Sequence, residues 1–154
     1  MSPSSAGIRA VPVAVEHRQD WEKLYAGYAA FYQVVQTPEM RATVWGWILD
    51  PSHEVEGLIA VDPSGRAVGL AHFRPFARPL AARVGGFLDD LFVAPEARGS
   101  GAAQALIEAV ARLGRERGWS VVRWITAEDN HRARAAYDRL ATRTRWLTYE
   151  ISLV

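Results

Sequence analysis

The sequence predicts an α/β (α+β mixed-sheet) domain with helices on both faces of one sheet, and three observations carry that reading. Two apolar, β-branched runs at 57–61 and 67–76 flank Asp62-Pro63-Ser64-Gly65-Arg66, a set of turn formers that closes an antiparallel hairpin. A third apolar run at 86–93 passes through a glycine-containing turn into a long amphipathic segment at 102–117. Beyond it a buried-type run at 121–126 is followed by a second amphipathic segment at 130–140. Hairpins followed by strand-helix-strand units imply a mixed sheet covered on both sides.

Each element has a local cause. Residues 8–10 make a short strand, and 15–34 a helix, with Trp21, Leu24, Tyr25, Tyr28, Phe31, Tyr32 and Val35 at three- and four-residue spacing. Thr37-Pro38-Glu39 starts a second helix: a capping threonine, a proline at the first helical position and an acid in the first turn are each stabilising there. Asp50-Pro51 ends it. After the hairpin and the loop around Arg78-Pro79 comes the third long strand. The helix at 102–117 sets Leu106, Ile107, Val110 and Leu113 on one stripe and stops at Gly118. A final strand is expected at 144–153, giving the order βααβββαβαβ in a single domain from residue 8 to 154, after a Pro/Ser/Gly-rich flexible N-terminus at 1–7.

Composition narrows the function. The 154 residues are 49% hydrophobic and 23% charged, so the chain can bury a real core. A net charge of +1 argues against a general nucleic-acid binder, whose affinity comes from many phosphate contacts. There is no cysteine, hence no disulfide framework and no thiolate nucleophile, which fits a cytoplasmic protein. No export signal or membrane span is expected. The four histidines, His17, His53, His72 and His131, show neither ligand spacing nor an acidic partner pattern, so no metal site is expected. Charge is unevenly spread: residues 1–97 carry 8 basic and 11 acidic side chains, whereas 98–145 carry 10 and 5. Arginine supplies 17 of the 18 basic residues, and the later segment therefore favours anions.

The segment Leu88-Asp89-Asp90-Leu91-Phe92-Val93-Ala94-Pro95-Glu96-Ala97-Arg98-Gly99-Ser100-Gly101-Ala102-Ala103 carries the chemistry. Its two glycines permit positive φ and close backbone approach, so the N–H groups from Gly99 to Ala103 can converge on an anion at the positive end of a helix. The turn lacks the Lys-Ser/Thr of a Walker loop and the spacing of a dinucleotide fingerprint. A plain strand-turn-helix junction is the alternative.

Read as Arg-x-x-Gly-x-Ala over 98–103, the turn resembles motif A of the GNAT superfamily of acyl-CoA N-acetyltransferases, and Asn130-His131-Arg132-Ala133-Arg134-Ala135-Ala136-Tyr137 resembles its motif B, Asn-x-x-Ala-x-x-x-Tyr. The likeness spans nearly the whole chain. Leu88-Asp89-Asp90-Leu91-Phe92-Val93, Arg123-Trp124-Ile125-Thr126 and the closing Thr142-Arg143-Thr144 with Tyr149 are most similar to a group of diamine and polyamine acetyltransferases and small fungal enzymes that acetylate histones, polyamines or D-amino acids.

The resemblance implies direct transfer of acetyl from acetyl-CoA to a primary amine, small molecule or lysine-type, without a covalent enzyme intermediate. It assigns the pantetheine arm to the backbone of Leu91, Phe92 and Val93, and the pyrophosphate to Arg98, Gly99, Ser100, Gly101, Ala102 and Ala103. Asn130 is assigned a contact to the pantetheine or to the strand ends, and it is also a candidate helix N-cap, a role that can hold together with the first. Tyr137 stands at the position of the acid that protonates the departing thiolate, or is a core aromatic beside Ala133, Ala136 and Leu140. Asp89 stands where the polyamine enzymes have a glutamate that handles the amine proton; Asp90 is the other candidate, and strand alternation sets the two on opposite faces. Two adjacent acids can also simply shape an acidic mouth. Phe31 and Tyr32, with Tyr28, Trp45 and Trp47 nearby, are the aromatic candidates for an alkylammonium pocket. A homodimer is implied through the terminal strand, with Trp146 and Tyr149. The competing function is a catalytically silent acyl-CoA sensor that keeps the cradle and lacks turnover.

Overall fold

The computed structural model describes residues 7–154. The flexible N-terminus expected at 1–7 therefore lies almost wholly outside the described residues. Five strands, β1 (Arg9–Pro12), β2 (Glu56–Val61), β3 (Ala67–Arg78), β4 (Arg83–Val93) and β5 (Val122–Arg123), form one sheet in the order β1-β2-β3-β4-β5. All neighbours are antiparallel except β4 and β5, which are parallel. Four helices cover it: α1 (Arg18–Phe31), α2 (Pro38–Leu49), α3 (Ala102–Arg117) and α4 (His131–Leu140).

Alternation along the strands divides the core in two. Leu58 and Ala60 of β2, with Ala71, Phe73 and Leu88, face α3 through Leu106 and Val110, and α4 adds Tyr137 and Leu140 to that side. Ile59, Leu70 and Phe92 face the other way, onto Trp21, Leu24 and Tyr25 of α1 and Trp45 of α2. Of the stripe read for the first helix, Trp21, Leu24 and Tyr25 are buried, together with Ala29, whereas Phe31, Tyr32 and Val35 are exposed because α1 ends at Phe31, clear of the sheet core. Thr37 caps α2 as expected, its hydroxyl accepting from the Met40 amide, with Pro38 in the first turn.

Two expected elements differ. The run at 121–126 is a strand only at Val122–Arg123, paired with Gly86 and Phe87. The Trp119 ring packs where a Cβ on Gly86 would lie, 2.3 Å from it, and touches Gly114 of α3. That wedge draws β5 to β4 at one point, and β4 then runs on to Val93 with β3 alone as a neighbour. The strand expected at 144–153 does not form in this single chain: the segment is exposed, because a strand needs a neighbour for its backbone and no other strand lies beside it. No helix among the described residues is long and apolar enough to cross a membrane.

Candidate active site

The divergence of β5 from β4 opens a cleft of about 830 Å³ bounded by the C-terminal end of β4, the start of α3, the inner face of α4 and the end of α1. Its lining brings together Leu91, Phe92, Val93, Arg98, Gly99, Gly101, Ala102, Ala103, Asn130 and Tyr137, and from α1 Phe31 and Tyr32. Residues from four separate regions of the sequence thus converge on one wall.

The start of α3 is built for an anion. Gly99 and Gly101 have φ of 81° and 88°, in the region that disfavours a Cβ. Ser100 donates its amide to Ala97 O, and the first helical bond runs from the Ala105 amide to Gly101 O, so the amides of Gly101, Ala102 and Ala103 stay clear of the helix ladder. Both α2 and α4 are capped by a side chain, whereas α3 has no side-chain cap and no acid in its first turn. The Ser100 hydroxyl is buried without a hydrogen-bond partner. An unused positive helix end beside an orphaned hydroxyl fits the pyrophosphate of a CoA.

Sequence reasoning missed part of this wall. Arg132 and Arg139 of α4, together with Gln104 and Ile107 of α3, also line the cleft. The excess of basic residues at 98–145 was the available signal, but it does not say which arginines turn inward. Arg98 lies with its guanidinium 5.5 Å from the Phe31 ring centroid, tying the turn to the end of α1.

On α4, Asn130 is the N-cap: its side-chain oxygen accepts from the Ala133 amide at 3.3 Å, while its Nδ2 donates to the Tyr32 hydroxyl at 3.4 Å. Tyr137, edge-on to Trp124 with ring centroids 5.4 Å apart, is partly buried at the cleft wall. Burial, with a smaller contribution from Tyr32, pushes its pKa up to about 12, so the hydroxyl keeps its proton at neutral pH.

The two aspartates correct the alternation argument. Leu88 pairs with Phe73 and Asp90 with His72, so Asp89 is an extra residue, a β-bulge. Asp89 accepts from Arg74 Nε at 3.1 and 3.3 Å, and Asp90 lies 2.8 Å from His72 Nδ1. Arg74 and His72 are two apart on β3 and share a face, and Trp21 of α1 touches His72. The bulge therefore puts both carboxylates on the α1 side, not on opposite faces. Asp89 is not among the residues that line the cleft. Burial raises its pKa against the opposing pull of Arg74, whereas hydrogen bonds from His72 and Tyr25 hold Asp90 low despite its burial. The expectation that no histidine has an acidic partner fails for His72, whose partner comes from the adjacent strand.

Of the aromatic candidates, Phe31 and Tyr32 line the cleft, while Trp45 is buried against Trp21 in the core. Trp47 stacks on His53 away from it. Tyr28 packs edge-on to both Tyr32 and Phe92. No group of three or more metal-ligating side chains occurs among the described residues.

Comparison with known proteins places this geometry. Residues 21–141 match the acetyltransferase (GNAT) family. The D-amino-acid N-acetyltransferase HPA3 of Saccharomyces cerevisiae is 32% identical over 145 residues, which cover 92% of this chain and 90% of that protein. Among solved structures, a probable acetyltransferase superposes with a TM-score of 0.84 at 24% identity, over 95% of this chain and 98% of its own. The aminoglycoside N-acetyltransferase AAC(6')-Iy, in complex with CoA, gives 0.82 at 20% identity over the whole of both chains. These two likenesses show the same fold.

Proposed function

The chain belongs to the GNAT acetyltransferase family and is an acetyl-CoA-dependent N-acetyltransferase, and from that premise we propose how its residues divide the work and what they act on. The acceptor is a primary amine, a small molecule or a lysine-type side chain, that reaches the end of β4 from the α1 side past Phe31 and Tyr32. A silent acyl-CoA sensor is disfavoured by the family and by the N-acetyltransferase relative. The observation that carries the reading is the convergence of an uncapped α3 start, entered through Gly99 and Gly101, and a protonated Tyr137 on one cleft.

Acetyl-CoA supplies the acetyl group as an activated thioester. Arg98, Gly99, Ser100, Gly101, Ala102 and Ala103 hold the pyrophosphate, with Arg132 and Arg139 adding charge from α4. The edge of β4 at Leu91, Phe92 and Val93, free of a strand on the β5 side, receives the pantetheine and polarises the thioester carbonyl where charge develops. Asn130 caps α4 and holds Tyr32 at the mouth. Asp89 takes the proton of the ammonium, directly or through water, aided by the raised pKa that burial gives it. The amine lone pair then forms the C–N bond as the C–S bond breaks, Tyr137 donates its proton to the departing sulfur, and the second proton that the nitrogen sheds on becoming an amide restores the Tyr137 hydroxyl, directly or through water.

The functional unit is a homodimer, and its setting is the cytoplasm. Trp146 is 82% and Tyr149 88% exposed, and Leu147, Ile151 and Leu153 are bare beside them. Five large apolar side chains in an extended segment call for a covering surface. A second copy supplies it by pairing with this segment, the final strand of the expected order. Light scattering at micromolar concentration is expected to give the dimer mass; a monomer would remove this part of the proposal.

Thiol release from acetyl-CoA tests the function, against polyamines, D- and L-amino acids, aminoglycosides and a histone-tail peptide. Release with one class of amine is the expected result. No release with any, and no rise in melting temperature on adding CoA, would overturn the assignment of the cleft.

A further inference from the structure

Beside the acceptor face a carboxylate is held by groups that the chemistry above does not use. Trp21, fully buried, donates from Nε1 to His72 Nε2 at 2.9 Å, and His72, only 1% exposed, has its Nδ1 2.8 Å from Asp90 Oδ2. The Tyr25 hydroxyl donates to the same Asp90 oxygen at 2.8 Å. An indole N–H can only donate, so His72 Nε2 is an acceptor and the ring proton sits on Nδ1, directed at Asp90. Both ring nitrogens are then used by a neutral imidazole, and the whole chain of bonds ends on one negative charge.

That charge has no cation to balance it. Among the described residues no Lys or Arg is in ion-pair contact with Asp90, and Arg74, the nearby cation of β3, is taken by Asp89. A largely desolvated anion without a counter-ion is costly, and the cost is recovered when a cation arrives. Asp90 keeps 19% of its side chain exposed. From it Tyr25 stacks on Tyr28, and Tyr28 meets Tyr32 with ring centroids 5.0 Å apart, so a run of aromatic faces leads from the buried carboxylate to the cleft wall. Such faces attract alkylammonium groups.

We propose that Asp90 is the anchor for the acceptor's ammonium group, and that Trp21 and His72 are positioning residues that keep it an uncompensated anion aimed at the acceptor. This rests on the amine-acetyltransfer reading and divides the two aspartates: Asp90 holds the cation and Asp89 receives its proton. The tautomer lock gives the arrangement its purpose, since a protonated His72 would itself neutralise Asp90 and compete with the substrate. The groups facing Asp90 are Tyr25 and Tyr28 from α1 and His72 from β3, with Asp89 next to it in β4 paired to Arg74; from α2, Trp45 packs on Trp21 and does not titrate.

The test is nitrogen and carboxyl-carbon NMR on the full chain. At pH 7 His72 is expected as the neutral Nδ1–H tautomer, and n-butylamine, but not n-butanol at the same concentration, is expected to shift the Asp90 carboxyl carbon. Asp90→Asn should abolish the amine-specific response at its neighbours and raise the acceptor KM about tenfold or more, with the acetyl-CoA KM changed less than about twofold. Trp21→Phe removes the donor to Nε2 and should let the Nε2–H tautomer of His72 appear. An imidazolium or Nε2–H signal in the wild type at pH 7, an equal response to the alcohol, or an Asp90→Asn enzyme with unchanged acceptor KM overturns the inference. The NMR arms need no turnover, so absent thiol release beside an amine-specific shift would count against the transferase reading while supporting the anchor.

Discussion

Asp89 and Asp90 are neighbours in sequence with opposite pKa displacements, one raised by burial and the other held down, despite its burial, by hydrogen bonds from His72 and Tyr25. That split suits the division of work proposed for them, since a raised carboxyl is the better proton acceptor and a lowered one the more persistent anion. Arg74 opposes the upward shift of Asp89, so Arg74→Gln should raise the Asp89 pKa further. A base works only when deprotonated; the acidic limb of kcat/KM for the amine should therefore move to higher pH in that variant, read directly from a pH–rate profile. A limb that stays in place would remove Asp89 from the proton transfer. Tyr137→Phe should lower kcat by roughly 10²- to 10⁴-fold while CoA affinity, measured by calorimetry, changes less than about twofold. An equal loss in affinity would instead mark Tyr137 as a packing residue against Trp124.

Among the elements, α3 is where sequence and structure agree to the residue, because both of its ends are set locally: Gly101 and Gly118 sit at its termini with positive φ. Gly101→Val forces a β-branched side chain into that conformation, at a cost of about 1–3 kcal/mol, and crowds the cradle. CoA binding should weaken by about tenfold or more, with the protein still folded by circular dichroism. The Asp89 bulge, by contrast, has no local signature: strand alternation is the correct default, and only the register against β3 shows the extra residue. The same holds for His72 and Asp90, which are 18 residues apart and meet only because β3 and β4 pair antiparallel. The shortened β5 is also nonlocal in origin, set by the Trp119 ring against Gly86 and Gly114. Motif residues at the start of α3 and α4 were legible since each motif lies within one turn and one helix, whereas Arg132 and Arg139 required the helix to be placed against the sheet.

For the molecule as a whole, the alternating apolar segment at 144–153 reads as a strand and yet is bare in the single chain, which is the exposure that the proposed homodimer would cover. Replacing Tyr149 and Ile151 together by Asp should turn the proposed dimer into a monomer in sedimentation velocity, leaving the cleft's CoA affinity in place. A double variant that remains dimeric would assign the interface elsewhere. The cleft itself gathers an uncapped helix start, a free strand edge and a protonated tyrosine, the set that the proposed direct passage of acetyl from CoA to the amine uses. The most direct measurement is to mix the enzyme with acetyl-CoA labelled in the acetyl group and a responsive amine, and to follow the label by mass spectrometry together with free thiol. Equal amounts of acetylated amine and CoA are expected, formed only when both substrates are present, with the protein mass unchanged. Thiol release without the amine, with the label on the protein, would contradict direct passage.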